Sequence, residues 1–238
     1  MVDNTNLNIK KMGADSEIKN LGLNFLEKTA KYKYSYNFLW LGRPIIQIPQ
    51  DIIAMQEIIW EIKPDLIIET GIAHGGSLVF YASMLELINK EGEVLGIDIE
   101  IREHNRAAIE KHPMAHRISM IEGSSLSINV LKEVKKKCQH KETVLVCLDS
   151  FHTHNHVLKE LELYSQFVSV GSYIVVYDTA IEDLSDELFK NKPWGKGDNP
   201  KTATWEFLQK RDDFIIDKSI EDKLVISVSP DGYLKRVR

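Results

Sequence analysis

Leu66-Ile-Ile-Glu-Thr-Gly-Ile-Ala-His-Gly-Gly-Ser77 is the stretch on which the fold turns. A short apolar run stops at Gly71, and helix-compatible residues follow over 77–88, so a strand runs through a glycine turn into a helix. Upstream, Ile52, Ile53, Met55, Ile58, Ile59 and Ile62 recur at three- and four-residue spacing, which predicts a helix over 50–62 ended by Lys63-Pro64. Downstream, short runs at 94–98, 118–121, 143–148 and 172–176 alternate with helical stretches at 102–111, 127–137 and 156–167. Near-continuous apolar strands separated by helices predict a doubly wound, Rossmann-like α/β sheet of parallel strands covered on both faces. The end of the chain breaks the alternation. After a helix at 202–210, runs at 214–216 and 224–228 leave no room for a crossover, so they are expected to pair antiparallel.

At the other end, the first 16 or so residues are polar and are expected to fray. A helix capped by Ser16 and carrying Ile18, Leu21, Leu23, Phe25 and Leu26 follows, with Gly22 inside it. The expected division is an N-terminal helical extension, 1–62, and a core domain, 63–238. Residues 182–201, with Pro193-Trp-Gly-Lys-Gly-Asp-Asn-Pro200, form a long loop in which Trp194 reads as part of a lid; Trp40, Trp60 and Trp205 read as core or interface anchors.

Composition narrows the function. The 238 residues carry 30 basic and 35 acidic side chains, a net charge of −5, which argues against nucleic acid as the main partner. The longest run free of Asp, Glu, Lys and Arg, residues 70–85, is too short and too polar for a membrane span. Cys138 and Cys147 have no metal or redox spacing, and Met1-Val-Asp-Asn-Thr lacks a signal-peptide core, so a cytoplasmic enzyme or binding protein is expected.

Ligands of open α/β sheets bind at the carboxyl ends of the strands. This sequence places Glu69, Asp98, Glu122, Asp149 and Asp178 there, an acidic rim suited to a cation, ribose hydroxyls or a metal ion. Asp149 and Asp178 make the best pair for Mg²⁺, which takes oxygen ligands. After Asp149 come His152, His154 and His156. Their alternating spacing would share a face in an extended segment, but they fall in a strand–helix turn. His152 is the first candidate general base for a substrate hydroxyl and His154 the second.

The glycine turn is neither the G-x-G-x-x-G fingerprint nor a Walker loop. Glu69-Thr-Gly71-Ile-Ala73-His-Gly75 instead resembles the first motif of class I S-adenosylmethionine (SAM) methyltransferases. That resemblance assigns Glu69 to the cofactor's ammonium end and Asp98 to its ribose. It extends the cofactor set to Gly71, Ala73, His74, Gly75, Ser77, Gly123, Ser124 and Asp149.

A wider resemblance rests on Leu39-Trp-Leu-Gly-Arg-Pro-Ile-Ile-Gln47, Pro49-Gln-Asp51, His74-Gly-Gly-Ser77, Gly96-Ile-Asp98, Asp149-Ser-Phe-His152 with His156-Val157, Gly171-Ser-Tyr173 and Asn199-Pro-Lys-Thr-Ala203. From Asn37 onward the chain is similar to the cephalosporin hydroxylase family, related to rhamnosyl O-methyltransferases. The resemblance implies a methyltransferase sheet with a terminal antiparallel pair, and a SAM-dependent O-methyltransferase of a small natural product or sugar. In metal-dependent relatives the fifth strand ends in two adjacent carboxylates. Here Tyr177 precedes Asp178, so one ligand is missing or replaced, by Glu182 or by water. A homo-oligomer is expected from the N-terminal helix. Two other readings stay open: a metal-dependent hydroxylase using the histidine cluster with Asp149, and a non-catalytic SAM-binding subunit.

Overall fold

The computed structural model describes residues 2–88 and 91–238. Helices α1 (Val2–Ala14) and α2 (Ser16–Ala30) lead into the short strands β1 (Phe38–Trp40) and β2 (Arg43–Ile45), which pair antiparallel, and into α3 (Pro49–Ile62). The alternating core follows as β3 (Leu66–Thr70), α4 (Gly76–Leu87), β4 (Glu93–Asp98), α5 (Glu103–Glu110), β5 (Ile118–Glu122), α6 (Ile128–Lys137), β6 (Val144–Leu148), α7 (His154–Tyr164) and β7 (Tyr173–Val176). It closes with α8 (Pro200–Gln209), β8 (Phe214–Ile216), α9 (Lys218–Leu224) and β9 (Tyr233–Arg236).

The seven-stranded sheet has the order β5-β4-β3-β6-β7-β9-β8. It is parallel from β5 to β7, while β9 runs antiparallel to β7 and to β8. Side chains alternate faces along each strand. Ile67, Val94, Leu145, Cys147 and Val175 pack with Met55, Ile59, Phe80 and Leu85 on one face. Ile68, Leu95, Val146 and Ile174 pack with Val134, Leu161, Tyr164 and Phe207 on the other. Burial on both faces explains the unbroken apolar runs, and the doubly wound expectation holds.

Three expectations fail. The N-terminus is helical, because α1 packs on α9: Gly13 lies so close to Asp222 that an added Cβ would stand 2.0 Å from its carboxyl carbon. A 13-residue polar helix is marginal alone and needs such a partner. Asp15, not Ser16, caps α2, accepting from the amides of Glu17 and Ile18 at 2.9 and 3.2 Å. The last strand is 233–236 instead of 224–228. Asp217 caps α9 through Ser219, Val225 ends it with a left-handed φ of 63°, and the turn at Ser229-Pro-Asp-Gly232 then launches β9. The long loop is entered by a 3-10 turn at Thr179–Glu182 and contains another at Asp186–Phe189. Among the described residues no helix is long and apolar enough to cross a membrane.

Candidate active site

A cavity of about 670 Å³ opens at the carboxyl ends of the central strands, β4, β3, β6 and β7. Gly71 makes it possible. An added Cβ there would sit 2.0 Å from the Asp149 carbonyl oxygen, so only glycine, at φ 93°, lets the β3 turn pass the end of β6. The next residues are held from outside. Asp98 Oδ2 accepts from the amides of Ile72 and Ala73 at 2.8 and 3.3 Å. Asn105 donates to the Ala73 carbonyl at 2.9 Å, and the Arg43 guanidinium donates to that of His74. Ala73 is thereby kept at φ 45°, a left-handed conformation that costs about 1–3 kcal/mol for a non-glycine residue.

Of the expected cofactor contacts, Gly71, Ala73, His74, Ser77, Asp98, Ser124 and Asp149 line the cavity, and Glu69, Gly75 and Gly123 do not. Glu69 is fully buried on the α4 side of the sheet, where it accepts from Ser77 Oγ at 2.6 Å and from the Tyr81 hydroxyl at 3.1 Å. Its parity decides this: it shares a face with Ile67, one residue before β3 ends. Gly75 faces Ile109, and Gly123 faces Val130. Glu122 is paired with Arg106 at 2.8 Å outside the cavity, so the acidic rim of five contributes three residues, Asp98, Asp149 and Asp178.

In the same cavity, one ligand atom each from Asp149, His152 and Asp178 lie within 4.8 Å of one another. His152 Nε2 stands 3.2 Å from Asp178 Oδ2. Asp178, two residues past the end of β7, adopts a left-handed φ of 58°. Burial, and then the charge of Asp178, push the Asp149 carboxyl well above the usual range. Trp194 from the long loop sits edge-on to His152, ring centroids 4.8 Å apart, and to Phe151 at 5.5 Å.

The other two histidines leave the cluster. His154 turns to α8, with Nδ1 2.8 Å from Thr202 Oγ1 and Nε2 3.0 Å from Glu206, and it does not line the cavity. His156 reaches the wall through Ser150 Oγ at 3.1 Å, with Ser125 and Glu160 beyond it. The hydroxylase reading needs two histidines with a carboxylate. Among the described residues only His152 joins the cluster.

The sequence reading missed Tyr36 and Gln47, which reach the wall from the N-terminal segment. The Tyr36 hydroxyl is pushed up by burial and by the charges of Asp178 and Asp149, which marks it as their neighbour. No local pattern signals either residue, although Gln47 stands in the stretch that carries the family resemblance.

Comparison with known proteins fits this geometry. The family model for rhamnosyl O-methyltransferase/CmcI matches residues 32–237. The chain belongs to that family. The rhamnosyl O-methyltransferase of Mycobacterium tuberculosis is 30% identical over 164 residues, 65% of this chain and 64% of its own length. That of Mycobacterium leprae is 30% identical over 141 residues, 59% of each chain. The chain therefore spans less than two thirds of the length of these curated relatives. Among solved structures, a CmcI apo-structure superposes with a TM-score of 0.61 at 18% identity, covering 85% of this chain and 77% of that one. An O-methyltransferase from Bacillus cereus in complex with SAH gives 0.53 at 15%, covering 84% and 82%. Both share the fold.

Within the family the departure at Tyr177 has a structural explanation. Its hydroxyl lies 3.2 Å from that of Tyr81, which also reaches Glu69, so the side chain belongs to a buried hydrogen-bonded chain. Glu182 does not replace the missing ligand. It accepts from the Gly197 amide at 2.7 Å and from Asn199 Nδ2, fastening the long loop. The residue that stands with Asp149 and Asp178 is His152. The two carboxylates, one of them raised by burial and then by its neighbour's charge, fit a divalent cation, with the His152 imidazole beside them.

Proposed function

We propose that this chain is a SAM-dependent O-methyltransferase acting on a hydroxyl of a sugar or small natural product. The name of the mycobacterial relatives makes a rhamnosyl unit the first acceptor class to try. The observation that carries the reading is the meeting of Asp149, His152 and Asp178 in the cavity that the glycine turn also lines.

When bound, SAM supplies an electrophilic methyl group on a sulfonium. Gly71, Ala73 and His74 would offer it close backbone approach, and the carboxylate of Asp98, on the same wall, would accept from its ribose hydroxyls. Asp149 and Asp178 would hold Mg²⁺, which would supply a Lewis acid that lowers the pKa of an acceptor hydroxyl. His152, oriented by Asp178, would take the hydroxyl proton as the O–C bond forms and the S–C bond to the methyl group breaks, the sulfonium leaving as a neutral thioether. Trp194 shields that imidazole from water.

Residues 1–62 act in this reading as a cap on the core of 63–238, contributing Tyr36 and Gln47 to the wall. It also includes residence in the cytoplasm and self-association, the latter supported by the exposed Ile53 and Trp60 of α3 and tested by light scattering. The experiment for the reaction uses methyl-labelled SAM with rhamnosides and related deoxysugars. We expect label in the acceptor, loss of about tenfold or more on chelation, and recovery with Mg²⁺. Transfer that survives exhaustive chelation unchanged refutes the metal role.

A further inference from the structure

Several described buried polar side chains have no hydrogen-bond partner, and among them only Gln47 lines the cavity. Gln47 is 2% exposed, yet both its Oε1 and its Nε2 lack a partner. Leaving both ends of a buried primary amide unmet is costly, which argues that something else meets it.

The position of Gln47 indicates what. Two residues before it, the end of β2 lies directly on the start of α4: a Cβ at Gly76 would stand 2.2 Å from the Pro44 carbonyl oxygen and 2.6 Å from the Ile45 Cα. The 12-residue α4 begins at Gly75 with no side-chain cap, and Gly76 and Ser77 line the same cavity. The first amides of a helix are unsatisfied donors at its positive end. Gln47 therefore adds an acceptor and two donors beside a ready carboxylate partner. Meanwhile Glu69, the acid that the turn motif would assign to an ammonium group, is buried off the wall and engaged by Ser77 and Tyr81.

We propose that Gln47 reads the α-amino-carboxylate tail of the cofactor. Its Oε1 accepts from the ammonium group, its Nε2 donates to the carboxylate, and the uncapped start of α4 takes the other carboxylate oxygen. The inference rests on the SAM reading above and assigns to Gln47 the part expected of Glu69.

The test is calorimetric, on the full chain without turnover. It compares S-adenosylhomocysteine with 5′-methylthioadenosine, which keeps the nucleoside and the thioether but lacks the amino-acid tail. Gln47→Met fills the space and removes the amide. We expect it to weaken S-adenosylhomocysteine by about tenfold or more, leave methylthioadenosine within about twofold, and melt no lower than the wild type without ligand. Gln47→Glu keeps an acceptor but sets an anion beside the carboxylate, so it too should lose only the tailed ligand. It decides the matter should the Met variant not fold. Equal losses for the two ligands, or none, overturn the proposal. If the wild type binds neither ligand, the SAM reading itself fails.

Discussion

Glu69 and Asp149 stand on neighbouring strands, one near the end of β3 and the other just past the end of β6, where the Asp149 amide donates to the Thr70 carbonyl at 2.9 Å. Burial raises the pKa of both carboxyls. Their surroundings otherwise differ. Glu69 is closed in by α4, is hydrogen-bonded to two hydroxyls, and its pKa is raised to about 8. Asp149 faces the cavity beside a second carboxylate and an imidazole. One acid completes the core and the other waits for a ligand. Glu69 is in register with Cys147, so Asp149 shares its parity; the difference is that Asp149 lies past the end of β6, where the turn at Gly71 brings two strand ends together.

The comparison breaks first at Asp149. Asp149→Asn should lower methyl transfer about a thousandfold while the fold, followed by circular dichroism, is unchanged. If turnover survives, Asp149 is no more a site residue than Glu69. His152→Ala should cost about a hundredfold in turnover and leave cofactor affinity within about twofold by calorimetry. That outcome also excludes a non-catalytic binding subunit.

Glu69→Gln sharpens the contrast from the other side, through stability. The carboxyl titrates at about 8 in the folded chain against an ordinary 4.5. Between those values the folded chain holds a proton that the unfolded chain lacks. The contribution is thus fully present below the lower value and is lost as pH rises through the upper one. Urea melts of the wild type should weaken over that window, and those of the variant should weaken less, with turnover within about tenfold. A variant as inactive as Asp149→Asn would erase the distinction. The smallest effect is expected at His154, which is engaged by Thr202 and Glu206: its replacement by Ala should leave turnover within about twofold in steady-state assays.

Most of this architecture is legible in the sequence because strands buried on both faces and amphipathic helices leave strong, distinct periods. The core strands, the glycine turn and the trio of Asp98, Asp149 and Asp178 emerge that way. Features set by contacts distant in sequence do not. The polar α1 takes its helix from α9, and the β-branched run at 224–228 is overruled by the Asp217 cap and the Val225 terminus. Glu69 sits in the right motif with its side chain on the core face, which spacing from the glycines cannot reveal. Tyr36 and Gln47 reach the cavity from far upstream, on a segment whose local pattern says nothing about ligands.

The claim beneath all of this is that the cavity holds SAM. Titration of the wild-type chain with SAM by calorimetry tests it most directly. Saturable heat at one site per chain, weakened about tenfold or more by Asp98→Ala, is the predicted result. No heat at high micromolar SAM would contradict it.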